Sequence, residues 1–229
     1  DELQHANFLF LNFWKVEVPD TRTPARFHAI GERAAALDLQ SEPVRAFLRL
    51  LAERHTVVDP TLATFESMFL ARPGEAPPGY AKIAARLPAQ VRRSTLAGGL
   101  AAPAGLEQRY RDGFQAMARM VGELYRAGVT IVAGTDDLAG FSLHRELELY
   151  ADAGLPPAEI LKIATLGAAR VMKRDADLGS VAVGKLADFV VVSGDPLARI
   201  GDVRNTQLVV KDGWPLRPAD LYREIGVRP

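Results

Sequence analysis

Apolar positions along the chain follow two rhythms that take turns: short unbroken runs, and longer stripes spaced three or four residues apart. The runs are FLFLNF (8–13), the apolar part of HTVVDPTLATF (55–65) and VTIVA (129–133), and they predict strands buried on both faces and therefore parallel. The stripes predict helices. Val44, Leu48 and Leu51 recur at helical spacing just ahead of the second run, and Leu106, Tyr110, Phe114, Met117, Val121 and Leu124 ahead of the third, with Gly128 as the stop. Ser142 then stands as an N-cap before Leu143, Leu147, Tyr150 and Ala151, and Gly154 closes that helix. The stretch LPPAEILKIATLGAARVM opens on proline and turns Ile160, Leu161, Ala164, Ala168 and Val171 inward. Repeated hand-over between helix and strand is the grammar of an α/β fold.

Two stretches depart from that grammar. Residues 70–105 collect Pro, Gly and Ala without sustained periodicity, a long excursion with a short helix around YAKIAARL, and loops of that length tend to carry function. From about residue 177 the pattern becomes short strands between glycines, LGSVAVGKLADFVVVSGDPL and QLVVKDG, before a helix-like PADLYREIG. The expected division is residues 1–176 and a small β module with a C-terminal helix at 177–229.

Composition narrows the chemistry. The 229 residues carry 28 basic and 28 acidic side chains and no clustered basic stripe, so nothing favours nucleic acid or an anionic membrane as a partner. No run of about eighteen apolar residues offers a membrane-spanning helix. Cysteine is absent, so a metal would have to use His, Asp, Glu or a modified Lys. Against that background the third run raises a question, because it ends in Gly134, Thr135 and two adjacent carboxylates, Asp136 and Asp137. Such acids either cap the following turn or sit where α/β folds gather their chemistry.

The segments AGTDDLAG…LHRELELYADAGLPPAEILKIAT, GKLADFVVVSGDPL and LVVKDG together resemble the amidohydrolase superfamily, in its imidazolonepropionase-like and prolidase-like branch. DELQHANF resembles that family's sixth barrel strand, VVDPTLATFE its seventh and TIVAGTDD its eighth. The resemblance implies the C-terminal portion of a (β/α)8 TIM-like barrel with a small appended β-sandwich module, its site at the C-terminal ends of the strands. It implies a hydrolase in which metal-activated water cleaves an amide, peptide or related bond of a small substrate, with one or two divalent ions, zinc by preference. His5 falls on the sixth-strand metal ligand, and Asp136 on the eighth-strand aspartate that binds metal and takes a proton from water. The family's first-strand His-x-His pair, its fourth-strand carboxylated Lys or Glu and its fifth-strand His have no counterpart. The expected partners are therefore a missing N-terminal part of the same protein, a small-molecule substrate and further copies of the chain. A scaffold that kept the fold and lost the metal is the alternative.

Other residues divide between site and structure. His144, one turn into the helix after the Asp pair, is either a substrate contact or a surface His. Thr64 and Glu66 lie at the correct end of their strand to line a pocket, or simply cap it. His28 follows the first run and could meet an anionic substrate group together with Arg22 and Arg26, or lie in a solvated loop. Asp137 is assigned to capping or support, and His55, at the start of its strand, to the structural end of the fold.

Overall fold

The computed structural model describes residues 1–14, 18, 20–138 and 140–228. The chain starts with β1 (Glu2–Gln4) and α1 (Ala6–Leu11), followed by α2 (Ala25–Arg33) and α3 (Glu42–Glu53). Then come β2 (Val57–Asp59), α4 (Leu62–Leu70), α5 (Ala89–Thr95) and α6 (Glu107–Arg126). After β3 (Thr130–Ile131) follow α7 (Leu143–Asp152), α8 (Pro157–Lys162) and α9 (Ala168–Val171). The chain closes with β4 (Phe189–Val192), β5 (Thr206–Lys211), β6 (Trp214–Leu216) and α10 (Pro218–Glu224). Among the described residues no helix is long and apolar enough to cross a membrane.

The first three strands form a parallel sheet in the order β1-β2-β3, with Glu2 opposite Val57 and Val58 opposite Ile131. The ladder continues past the formal strand ends, since the His5 N–H donates to Asp59 O at 2.8 Å and the Val132 N–H to Val58 O at 3.0 Å. All three strand tips therefore reach the same end of the sheet.

Two sequence expectations need correction here. Residues 8–13 are not a strand: residues 6–11 are helical, and the strand is the preceding Glu2–Gln4. FLFLNF is apolar throughout because α1 buries Ala6, Asn7, Leu9, Phe10 and Leu11, nearly its whole circumference. A buried helix and a buried strand look alike in a run this short. The second strand also stops early, at Asp59, because Pro60 has no N–H to give the ladder and Thr61 turns left-handed (φ 51°) into α4.

The helical stripes of α3 and α6 fall where the spacing puts them. Tyr110, Phe114, Met117, Val121 and Leu124 of α6 are at most 1% exposed and pack in one core with Val44, Leu48 and Leu51 of α3. A Cβ on Gly113 would sit 2.8 Å from Ile30 O, so glycine there lets α6 lie directly on α2. Gly128 (φ 75°) and Gly154 (φ 92°) end α6 and α7 in the left-handed conformation. Ser142 occupies the position before α7 but does not cap it: its hydroxyl lies 3.0 Å from Thr135 Oγ1 and 3.2 Å from Leu138 O.

Beyond α9 the strands form one antiparallel sheet, β4-β5-β6, irregular between Val191 and Val192. The resemblance implies a sandwich, yet among the described residues these three strands form a single sheet, and Val190, Val191 and Trp214 remain exposed.

Candidate functional site

At the tip of β1 the backbone turns sharply at His5 (φ 71°), which points the imidazole across the end of the sheet. Its Nδ1 lies 2.9 Å from Thr61 Oγ1 in the turn after β2, and its Nε2 lies 3.8 Å from Asp136 Oδ2 in the turn after β3. The edge of Phe65 packs against the ring, centroids 6.3 Å apart. Three consecutive strand tips thus converge on one imidazole. Asp136 takes a left-handed backbone conformation (φ 48°) that aspartate tolerates better than most residues, and its side chain is 65% exposed.

Two carboxyl groups, one half-buried and one wholly buried, hold these turns in place. Asp59, at the tip of β2, accepts the Gly134 N–H at 2.9 Å. A Cβ on residue 134 would meet Asp59 Oδ2 at 2.0 Å, so only glycine permits this contact. Burial pushes the Asp59 carboxyl up, against the pull of that N–H. Glu146 of α7 is wholly buried and accepts the N–H groups of Leu62 (2.9 Å) and Ala63 (2.6 Å), fixing the start of α4 and with it Thr61. Burial raises the Glu146 carboxyl to about 8 despite these donors. Beside it, the Tyr150 hydroxyl donates to Val132 O at 2.9 Å.

The remaining candidates separate. Thr64 lies at the site, but its hydroxyl serves the turn itself, at 2.5 Å from Thr135 O and 3.1 Å from Asp136 O. It lines, with Asp136 and Asp137, a cavity of about 630 Å³. His28 does not line that cavity: it lies on α2 and bonds through Nδ1 to the Tyr110 hydroxyl of α6. His144 also lies apart, in a smaller cavity of about 210 Å³ shared with Arg204 and Tyr222. Burial and the Arg204 charge lower its affinity for a proton. Arg22 pairs with Asp20, and Arg26 packs on Phe27 and donates to Thr21 O; neither lines the cavity beside Asp136. Asp137 accepts the N–H of Leu138 at 2.7 Å. Glu66 is paired twice with Arg145, at 2.9 and 2.7 Å, and Arg145 reaches on to Glu148, which also binds Arg204.

Sequence reasoning missed Asp59, Thr61, Glu146 and Tyr150. Asp59 carries the same mark as Asp136, an acid closing a strand. Glu146 stands on the inward face of α7 beside Leu147 and Tyr150, where an acid is out of place unless it has a partner.

Parallel strands followed by helices, with a His and an Asp meeting where the strands end, define the α/β class whose active sites are assembled at strand C-termini. The chain belongs to the amidohydrolase family, whose model matches residues 69–215. No curated protein matches it. Among solved structures it is similar to a Xaa-Pro dipeptidase with methionine bound in its active site (22% identity, TM-score 0.54, 80% of this chain and 38% of that one). It is also similar to the A. niger ochratoxinase (19%, 0.53, 77% and 35%) and to another amidohydrolase (26%, 0.50, 75% and 37%). The chain thus spans well under half the length of each, and at 22% and 19% identity the likeness speaks for the fold alone.

Proposed function

We propose that residues 1–229 form the C-terminal part of a metal-dependent hydrolase of amide, peptide or related bonds. Residues 1–176 would contribute to its barrel and 177–229 form the small β module. The observation that carries this reading is the 3.8 Å approach of His5 Nε2 to Asp136 Oδ2 at the strand tips, beside an open cavity. An imidazole nitrogen and a carboxylate oxygen are donors that zinc takes, and His5 and Asp136 would be the residues to hold such an ion here. In the tautomer whose Nδ1–H donates to Thr61 Oγ1, the Nε2 lone pair is left for the ion.

Among the described residues no group of three or more His, Asp and Glu comes together. A catalytic centre takes about three protein ligands, so on this reading at least one more ligand joins His5 and Asp136 from beyond the described residues. When bound, such an ion lowers the pKa of water to about 7 and polarises a carbonyl. Asp136 is the base that receives the proton of the attacking water and returns it to the leaving nitrogen, a role its exposure to the cavity permits. Thr64, through the carbonyls of 135 and 136, keeps that carboxylate in position.

The test is Asp136→Asn in the full-length protein, read against a panel of dipeptides and N-acyl amino acids. Turnover should fall by about 10²–10⁴-fold with circular dichroism and oligomeric state unchanged. Retained turnover would remove Asp136 from the mechanism, and a wild-type protein that is inactive and carries no bound metal would favour the scaffold.

A further inference from the structure

The cavity that holds His144 shares no lining residue with the one beside Asp136. It encloses about 210 Å³ where three parts of the chain meet: residues 79–86 of the long excursion, the start of α7, and Arg204 and Tyr222 of the β module. Lys82, Arg86, His144 and Arg204 all line it, and among the described residues that do so there is no Asp or Glu.

Among the described residues these groups also keep N–H donors to spare. Arg204 gives Nε and Nη2 to Glu148, at 2.5 and 3.1 Å, and leaves Nη1 unbonded. Arg86 gives Nε to Arg228 O at 2.6 Å and lies over the Tyr222 ring at 5.3 Å, with both terminal nitrogens unbonded. Lys82 and the His144 ring form no hydrogen bond. Glu148 offsets the charge of Arg204, whereas Lys82 and Arg86 form no ion pair, so two positive charges at the cavity lack a carboxylate partner. The Asp202 carboxylate feels the Lys82 charge at longer range, but the Asp195 N–H and Arg199 already hold its oxygens. Cations gathered round a half-enclosed space repel one another, and an anion between them removes that cost and takes up the free N–H groups. His144 registers the field: burial and the Arg204 charge lower its affinity for a proton, against the pull of Glu148.

We infer that this cavity is a binding site for a small, doubly charged oxyanion of the phosphate class, held by Lys82, Arg86, the free Nη1 of Arg204 and the His144 ring. Two unpaired cations match its two charges, and a tetrahedral ion has an oxygen for each donor group. The volume lies below the roughly 300 Å³ at which pockets for drug-sized ligands begin, so a nucleotide or a peptide does not fit. The bound ion would tie residues 79–86 and α7 to the C-terminal module. The inference does not use the hydrolytic reading, since neither Asp136 nor a metal takes part.

The test is titration of the full-length protein with sodium phosphate at about pH 8, where the ion is largely doubly charged, with ionic strength held constant by chloride. Binding is read by calorimetry and by the NMR signal of the His144 ring, identified by its loss in His144→Gln. The Kd should lie below about 1 mM, and the melting temperature should rise as the ion saturates. Lys82→Gln should weaken binding by about threefold to tenfold and Arg86→Gln by about tenfold or more, each losing a charged hydrogen bond. Lys82 is exposed, so Lys82→Gln carries the test even where Arg86→Gln does not fold. Arg93→Gln, in the neighbouring groove that Arg86 also lines, should change binding by less than about twofold. Acetate, with a single charge, should bind about tenfold or more weakly. Methyl phosphate within about threefold of phosphate assigns the site to phosphoryl groups in general, and weaker binding assigns it to the free ion. A Kd above about 1 mM overturns the inference, as do acetate bound as tightly as phosphate and binding that leaves the His144 signal unmoved. Binding lost in Arg93→Gln but kept in Lys82→Gln also overturns it, by moving the ion to the other groove.

Discussion

Replacing Glu146 by Gln should change how stability depends on pH. The folded carboxyl titrates near 8 because it is wholly buried, whereas its ordinary value is 4.5. Between those values the folded protein keeps a proton that the unfolded chain releases. A raised folded pKa means that stability is fully present below pH 4.5 and declines as pH rises to about 8. At about 1.4 kcal/mol per pH unit the whole decline is on the order of 5 kcal/mol. Asp59, raised by burial, adds to the same slope, while His144, lowered by burial, opposes it below its ordinary 6.5. Both effects cancel in the difference between wild type and variant. The side-chain amide of Glu146→Gln keeps an acceptor for one of the Leu62 and Ala63 N–H groups and turns an NH₂ toward the other, which costs about 1–3 kcal/mol in acid. The variant should therefore start below wild type at about pH 5 and close the gap, or pass it, by about pH 9. Urea unfolding midpoints across that range read the difference directly. Parallel curves would mean that Glu146 is ionised in the folded protein, its two amide donors outweighing burial.

Two further outcomes test how the strand tips are held. Gly134→Ala drives a methyl into the Asp59 carboxylate and should cost about 1–3 kcal/mol of stability by thermal unfolding; turnover should fall as well, and unchanged values of both would show that the 134–136 turn does not depend on this contact. Glu66→Gln removes the doubly bonded partner of Arg145, side chains 5% and 19% exposed, and should destabilise by about 3 kcal/mol, with Glu148 retaining part of the charge pairing. In a double-mutant cycle, adding Arg145→Met should recover part of that loss; strictly additive effects would show that the pair is not coupled.

What could be read in advance depended on whether the information was local. The stripe of α6 was legible because it buries a regular set of neighbours along its own length, and the strands at 57–59 and 130–131 as short β-branched runs, although each buries one residue, Val58 and Ile131, rather than both faces. Strand β1 was invisible to periodicity, since Glu2 and Gln4 are exposed at the edge of the sheet and the strong apolar signal belongs to the helix that follows. Only the motif DELQHANF marked the strand, and by the same route His5 was matched with Asp136, 131 positions on, which lies 3.8 Å away. His28 and His144 were placed by position alone. Each follows a strand or its turn and so qualifies by position, yet helical geometry turns one toward Tyr110 and the other toward Arg204.

The carboxyl groups that organise the site were the hardest to find because their partners are backbone amides. Glu146 binds N–H groups 83 and 84 residues earlier in the chain, and Asp59 one that lies 75 residues later. An amide N–H has no residue type, so no pattern of side chains announces it, and the only trace is an acid where the helical face calls for a hydrophobe. That trace is also a physical demand. A carboxyl group buried without partners is too costly to keep, so a Glu at such a position implies unpaired donors nearby. The first turn of a helix is the commonest place to find them. In a parallel sheet every helix that leaves a strand tip offers such a turn at the edge of the site. An inward-facing acid on a neighbouring helix therefore points to the strand tips, as Glu146 does to the start of α4.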